Sequence, residues 1–301
     1  MKFALEYPVS AQSYDPRLIR GDGLRTLARA AEQAGFAAIG FTEHPAPSMR
    51  WMETGGHDTV DPLTALAFCA AVTKRIELMP YALILPYYNA FMAAKQLASL
   101  DRFSDGRLVL VAGTGYLKSE FLALGQNIEE RNARFDEALE AMRAAWTQAP
   151  CNYEGAHFTG RGFVQSPMCD RVPPILIAGN SRLARRRAAA HDGWSPLLIS
   201  SQFSDLVRTA PLESIDALAA GIREVCDLAG DRAGKLSFQV ETDQNTFLES
   251  GRSVEEHRDH LGRLAEAGID RFIVKVPANS AEHAADALMH YGETFIAAAS
   301  G

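Results

Sequence analysis

Glu43 and His44 are the adjacent pair in this chain best suited to moving a proton. An imidazole changes charge near neutral pH, and a carboxylate beside it can hold its tautomer or raise its pKa. The pair closes an apolar run at residues 38–42, which reads as a strand. A histidine at a strand end can also be held by a loop hydrogen bond and do nothing more, but a strand end is where α/β enzymes place their chemistry. Two glycine-bearing turns follow other strands. Gly179-Asn180-Ser181 sits before a helix, where glycine admits close backbone approach and free N–H groups favour an anion. Capping of that helix by Asn180 or Ser181 explains the same residues equally well. Gly113-Thr114-Gly115, with Tyr116 next, is not a dinucleotide fingerprint, because Lys118 stands where the third glycine belongs.

Other clusters carry less. His257 and His260 have half of a metal-site spacing, but no third ligand accompanies them. Their neighbours Glu255, Glu256, Arg258 and Asp259 suggest a solvated helix. Arg185, Arg186 and Arg187 also read as a solvated face. The formal charge of −7 and the lack of a longer basic run argue against nucleic acid. The four cysteines (69, 151, 169 and 226) contain no CxxC, which points to reduced thiols in the cytoplasm. No secretory leader pattern and no membrane-length apolar run is present.

The elements that position these residues alternate along the chain. Strands are expected at 3–7, 38–42, 76–85, 108–112, 175–178, 194–199, 236–242 and 271–276. Helices are expected at 23–34, 62–72, 90–100, 134–147, 181–190, 212–229, 254–267 and 281–298. Eight strand-then-helix units suit a closed (β/α)₈ barrel of about 250 residues or more, here one domain over 1–301. A doubly wound open sheet is the alternative. Two long irregular connections, 43–61 and 150–174, are expected to wall a substrate pocket, with Met49, Trp51 and Met52 as apolar members of the first.

An ordered set of motifs resembles the luciferase-like monooxygenase superfamily across roughly the whole chain. It comprises Asp61-Pro62-Leu63, Ala94-Lys95-Gln96, Leu100 to Leu108 (LDRFSDGRL), Gly113 to Phe121 (GTGYLKSEF) and Glu130 to Ala138 (ERNARFDEA). Pro174 to Ser181 (PILIAGNS) and Asp192-Gly193-Trp194 complete it. Thr42-Glu43-His44-Pro45 and Leu85-Pro86-Tyr87-Tyr88-Asn89 are most similar to the branch that uses coenzyme F420, a deazaflavin. The resemblance implies hydride transfer between F420 and a small organic substrate, with His44 and Glu43 near the reactive ring. It places the cofactor phosphate on Ala178, Gly179, Asn180 and Ser181, and the ribityl chain on Gly113, Thr114 and Gly115. It also implies a non-prolyl cis peptide under the ring, which alignment on Pro86 puts at Ala82–Leu83. Some deazaflavin dehydrogenases carry a proton-donating glutamate after Gly-Thr-Gly. Tyr116 stands there, so that acid role does not transfer, and Tyr116 is the next proton donor to consider after His44. The alternative is an FMN-dependent monooxygenase fed by a separate reductase and using oxygen, which a deazaflavin scarcely activates because it has carbon in place of flavin N5. A cofactor carrier or sensor ranks last. Apolar helix faces make a homodimer plausible.

Overall fold

Inward and outward side chains alternate along each short strand, and that alternation builds two apolar layers. Ala4, Ala38, Met79, Tyr81, Val111, Leu176 and Ile273 fill the interior, while Leu5, Ile39, Leu78, Leu110, Ile177 and Phe272 pack outward against helices. The structure is a computed structural model and describes residues 1–166, 168–201, 204 and 207–297.

The barrel strands are β1 (Lys2–Glu6), β2 (Ala38–Phe41), β3 (Glu77–Ile84), β4 (Leu110–Gly113), β7 (Ile175–Ala178), β8 (Gly193–Ser195) continued by β9 (Leu197–Leu198), β10 (Ser237–Thr242) and β11 (Arg271–Val274). All pair in parallel, and β11 pairs with both β1 and β10, which closes the ring. The sixth position is split because Pro196, lacking an N–H, falls between β8 and β9. The expected barrel is therefore the observed one, and the open sheet is excluded.

The helices are α1 (Gly21–Gln33), α2 (Met49–Glu53), α3 (Pro62–Val72), α4 (Ala90–Phe103), α5 (Lys118–Ala123), α6 (Arg131–Thr147), α7 (Arg182–Ala190), α8 (Ile215–Ala229), α9 (Phe247–Ser250), α10 (Val254–Glu266) and α11 (Ala281–Tyr291). Their starts follow local chemistry. Asp61 accepts the Thr64 N–H at 2.7 Å with Pro62 in the first turn of α3, and Ser253 and Glu256 form a capping box on α10. The expected last helix stops sooner: α11 gives way to a wider turn at Gly292–Ile296, and residue 298 lies outside the described residues.

Three expectations need correction. The stretch 150–174 contains an antiparallel hairpin, β5 (Cys151–Glu154) with β6 (Thr159–Phe163). Its rings pack on Phe91 of α4, and Glu137 of α6 accepts the His157 and Phe158 N–H groups. Those contacts hold the hairpin against α4 and α6, so residues 151–163 are not the irregular connection expected. His257 and His260 are buried instead of solvated. His257 stacks on Phe247 and meets the Tyr291 hydroxyl at 2.9 Å, and His260 lies 3.3 Å from the Thr242 hydroxyl. Arg187 is also buried, forked onto Asp136, whereas Arg186 is exposed.

Candidate active site

Every strand of a parallel barrel ends on the same face, so residues just past β2, β3 and β4 converge. His44 comes from the end of β2, Tyr87 from the turn after β3, and Glu120 from α5 after β4. Glu120 is almost fully buried, and its two oxygens have separate duties. One lies 3.2 Å from His44 Nδ1, and the other accepts the Tyr87 O–H at 2.7 Å. A carboxylate can only accept, so in the neutral imidazole Nδ1 carries the hydrogen and Nε2 keeps its lone pair. Burial, with the Glu120 carboxylate adding to it, pushes the Tyr87 hydroxyl well above its ordinary range, so it stays a donor.

Glu43 does not supply that carboxylate. One of its oxygens accepts the Ile84 N–H at 2.6 Å and the other the Tyr88 O–H. Burial raises Glu43 to about 8. Adjacent residues near a strand end point in opposite directions, so His44 and Glu43 serve different neighbours. The expected support of His44 by Glu43 is thus corrected to support by Glu120.

A loop turns back over His44. Ser48 caps α2 by accepting the Trp51 N–H at 3.3 Å, which sets the indole 4.5 Å from the His44 ring, centre to centre. Gly56 lies flat on that indole, where any β-carbon would overlap it. His57 meets the His44 ring edge-on at 4.9 Å. Burial, with His44 close by, pushes His57 down to about 4, and its Nδ1–H donates to the Asp58 carbonyl at 3.0 Å. Tyr116 stands 6.0 Å from His44, ring to ring, with its hydroxyl raised by burial. His44 and Tyr116 are therefore brought together, and Trp51 and His57 join them.

The turns expected to meet a cofactor divide. The cis peptide lies at Tyr81–Ala82, one bond before the expected Ala82–Leu83. The register of β3 against β4 shifts there, so Tyr81 and Ala82 both face the interior. Leu83 is fully buried in the outer layer, which leaves only its backbone for the mouth. A β-carbon on Gly113 would come within 3.3 Å of Ala82, and one on Gly115 within 2.6 Å of Ile84. Glycine at both positions thus lets the turn after β4 pack directly on Ala82 and Ile84, with Thr114 between the two glycines.

At the end of β7, Ser181 caps α7 through the Ala184 N–H, and Asn180 is buried. The Asn180 side chain binds the Leu197 and Ala210 backbone, and its N–H donates to Thr209. Gly179 has φ +103°, a β-carbon there would meet Ala184 of α7 at 3.9 Å, and its N–H is taken by the Ser195 carbonyl. The Arg182 and Leu183 N–H groups of the first turn remain without an intrahelical acceptor. An anion would meet those two donors past Gly179, with Asn180 building the loop instead of binding the ligand. Ala178 packs on the inner core just below.

Across the mouth, a second polar group continues the inward faces of β1, β10 and β11. The Lys275 ammonium lies 3.3 Å from Glu6 and 2.7 Å from Glu241. Tyr81 donates to Glu241 at 3.1 Å. Burial, reinforced by Glu241, raises Glu6 to about 7, and one Glu6 oxygen is buried without a partner.

Sequence reasoning missed Glu120, His57 and the Glu6–Lys275–Glu241 group. Glu120 lay inside a quoted motif with no role. Its signal was a lone carboxylate one turn into an otherwise apolar-faced helix, and such residues bury only with partners.

Residues 3–221 match the luciferase-like monooxygenase family. An F420-dependent glucose-6-phosphate dehydrogenase of Gordonia bronchialis is 28% identical over 257 residues, 82% of this chain and 72% of that one. An FMNH2-dependent dimethylsulfone monooxygenase of Pseudomonas putida is 30% identical over 176 residues, 56% of this chain and 47% of that one. A monooxygenase from Streptomyces bottropensis has the same fold, with a TM-score of 0.76 at 22% identity over 99% of this chain and 100% of that one.

Proposed function

Because the chain belongs to the luciferase-like monooxygenase family, we propose that it is a cytoplasmic, single-domain oxidoreductase that exchanges hydride between coenzyme F420 and a small organic substrate. The observation that carries the reading is the buried Glu120 holding His44 by Nδ1, which leaves Nε2 as a proton acceptor at the barrel mouth. The Gordonia relative, named F420-dependent, supports the same coenzyme. The residues fit such a group: Gly113 and Gly115 let the turn after β4 lie close against Ala82 and Ile84 with no side chain projecting from it, and the first turn of α7 offers amides past Gly179. Those residues would hold the ring, the chain and the phosphate in turn.

When bound, the coenzyme supplies the carbon that accepts or gives up hydride. His44 Nε2 takes the hydroxyl proton of an alcohol as the C–H hydride leaves, and returns it in the reverse direction. Glu120 stabilises the imidazolium so formed and, anchored by Tyr87, keeps the ring in one orientation. Trp51 and Tyr116 shield the exchange from water.

The second reading is an FMN-dependent monooxygenase supplied by a separate reductase, and the Pseudomonas relative favours it. The proton role is tested by single-turnover hydride transfer in His44→Ala. The chemical step is expected to slow roughly 10²–10⁴-fold, with cofactor Kd changing far less. A near-wild-type rate removes His44 from the chemistry. A loss confined to Kd makes it a binding residue and moves the search to Tyr116.

A further inference from the structure

A cavity of about 510 Å³ opens between the ends of β11 and β1, beside the mouth. Ser10, Ser13, Tyr14, Thr246, Asn279 and Lys275 supply the hydroxyl, amide and ammonium-bearing residues of its lining. The wall runs on into the loop that covers His44, since the Tyr14 O–H donates to Asp58 at 3.3 Å and Asp58 follows His57. We propose that this cavity is the substrate subsite and that it takes an uncharged polyhydroxy compound, not a phosphate ester. Its role rests on the hydride-transfer reading, whereas its ligand is argued from its own walls.

A phosphate needs an unengaged cation or a nest of free N–H groups. Among the described residues, the cations at this cavity are already taken. Lys275 lies between Glu6 and Glu241, and Arg17 is bound to Asp15 and Glu282. Two further carboxylates, Asp15 and Glu249, belong to the wall itself. A dianion entering here meets more negative charge than positive, with no donor fork to hold it. A cationic amine is disfavoured at the other end, because the Lys275 side chain is still 29% exposed. A hydroxyl suits both ends: it accepts from Lys275 and donates to a carboxylate. The wall carboxylates Asp15 and Glu249 are such acceptors. The named activity of the Gordonia relative involves a sugar phosphate, so this wall separates the present chain from it in substrate charge.

The test is calorimetric titration of the protein, with and without oxidised F420, using glucose, sorbitol, their 6-phosphates and glucosamine. Glucose or sorbitol is expected to bind at least tenfold tighter than its phosphate, about 1.4 kcal/mol, and tighter than glucosamine. Glu249→Lys, at an exposed position on the wall, is expected to shift the preference toward the phosphate by about tenfold. Tighter binding of the phosphates or of the amine overturns the proposal. So does absence of binding by all five ligands at millimolar concentration, or a preference unmoved by Glu249→Lys. Polyol binding by a protein that does not bind F420 leaves this inference standing and removes the coenzyme reading instead.

Discussion

Two carboxylate clusters face each other across the barrel mouth, and they handle charge in opposite ways. On the β2–β4 side, Glu120 accepts from two groups, one of which, His44, can change its own protonation. On the β1, β10 and β11 side, two carboxylates share one ammonium, and their charge keeps it protonated against the cost of burial. The first cluster leaves a lone pair free on a ring nitrogen. The second leaves a fixed array of donors and acceptors. A site that must move a proton needs the former, and a site that must recognise hydroxyls needs the latter.

The sharpest way to break that comparison is to neutralise the orienting carboxylate. Glu120→Gln keeps the shape but removes the charge beside the imidazolium, so the chemical step is expected to slow by roughly 10- to 100-fold, the scale of one charge-assisted hydrogen bond. A buried carboxylate that merely supported the fold would lower stability and leave the single-turnover rate of the folded variant near that of wild type.

Glu43→Gln sharpens the contrast from the other side, since Glu43 serves the backbone of Ile84 and the hydroxyl of Tyr88. Burial raises its folded pKa from 4.5 to about 8, so the folded state binds the extra proton between those values. That contribution to stability is full below the lower value and is lost as pH rises through the upper one. Wild type is expected to lose roughly 5 kcal/mol more than Glu43→Gln across this window, read from denaturant unfolding at a series of pH values. Parallel curves for the two proteins would place the carboxylate in a less desolvated setting.

Gly179→Val carries the smallest expected effect. A branched residue at φ +103° is strained, and its side chain would stand against Ala184 in the first turn of α7. Cofactor affinity is expected to fall by about 1 kcal/mol or more, measured by titration of the folded variant. Unchanged affinity would leave Ser181 as a helix cap and the phosphate elsewhere.

The barrel was legible in the sequence because each unit repeats one pattern: a short apolar strand, then a capped amphipathic helix. Asp61-Pro62 and Ser181 marked helix starts where they occur. The site was legible where chemistry and a strand end coincide, as at His44. It was not legible where the partner comes from another βα unit. Glu43 is next to His44 in sequence but turned away from it, while Glu120 is distant in sequence and within hydrogen-bond reach. The bulge in β3 misled by one residue because alternation resumes only at Leu83. His257 and His260 misled because their charged helix neighbours face solvent while they face Phe247 and Thr242.

The coenzyme is the central claim, and equilibrium titration of the purified protein with oxidised F420 and with oxidised FMN tests it most directly. F420 is expected to bind at least tenfold more tightly, a gap of about 1.4 kcal/mol. Equal affinities, or a preference for FMN, would contradict the account and put the oxygen-dependent monooxygenase in its place.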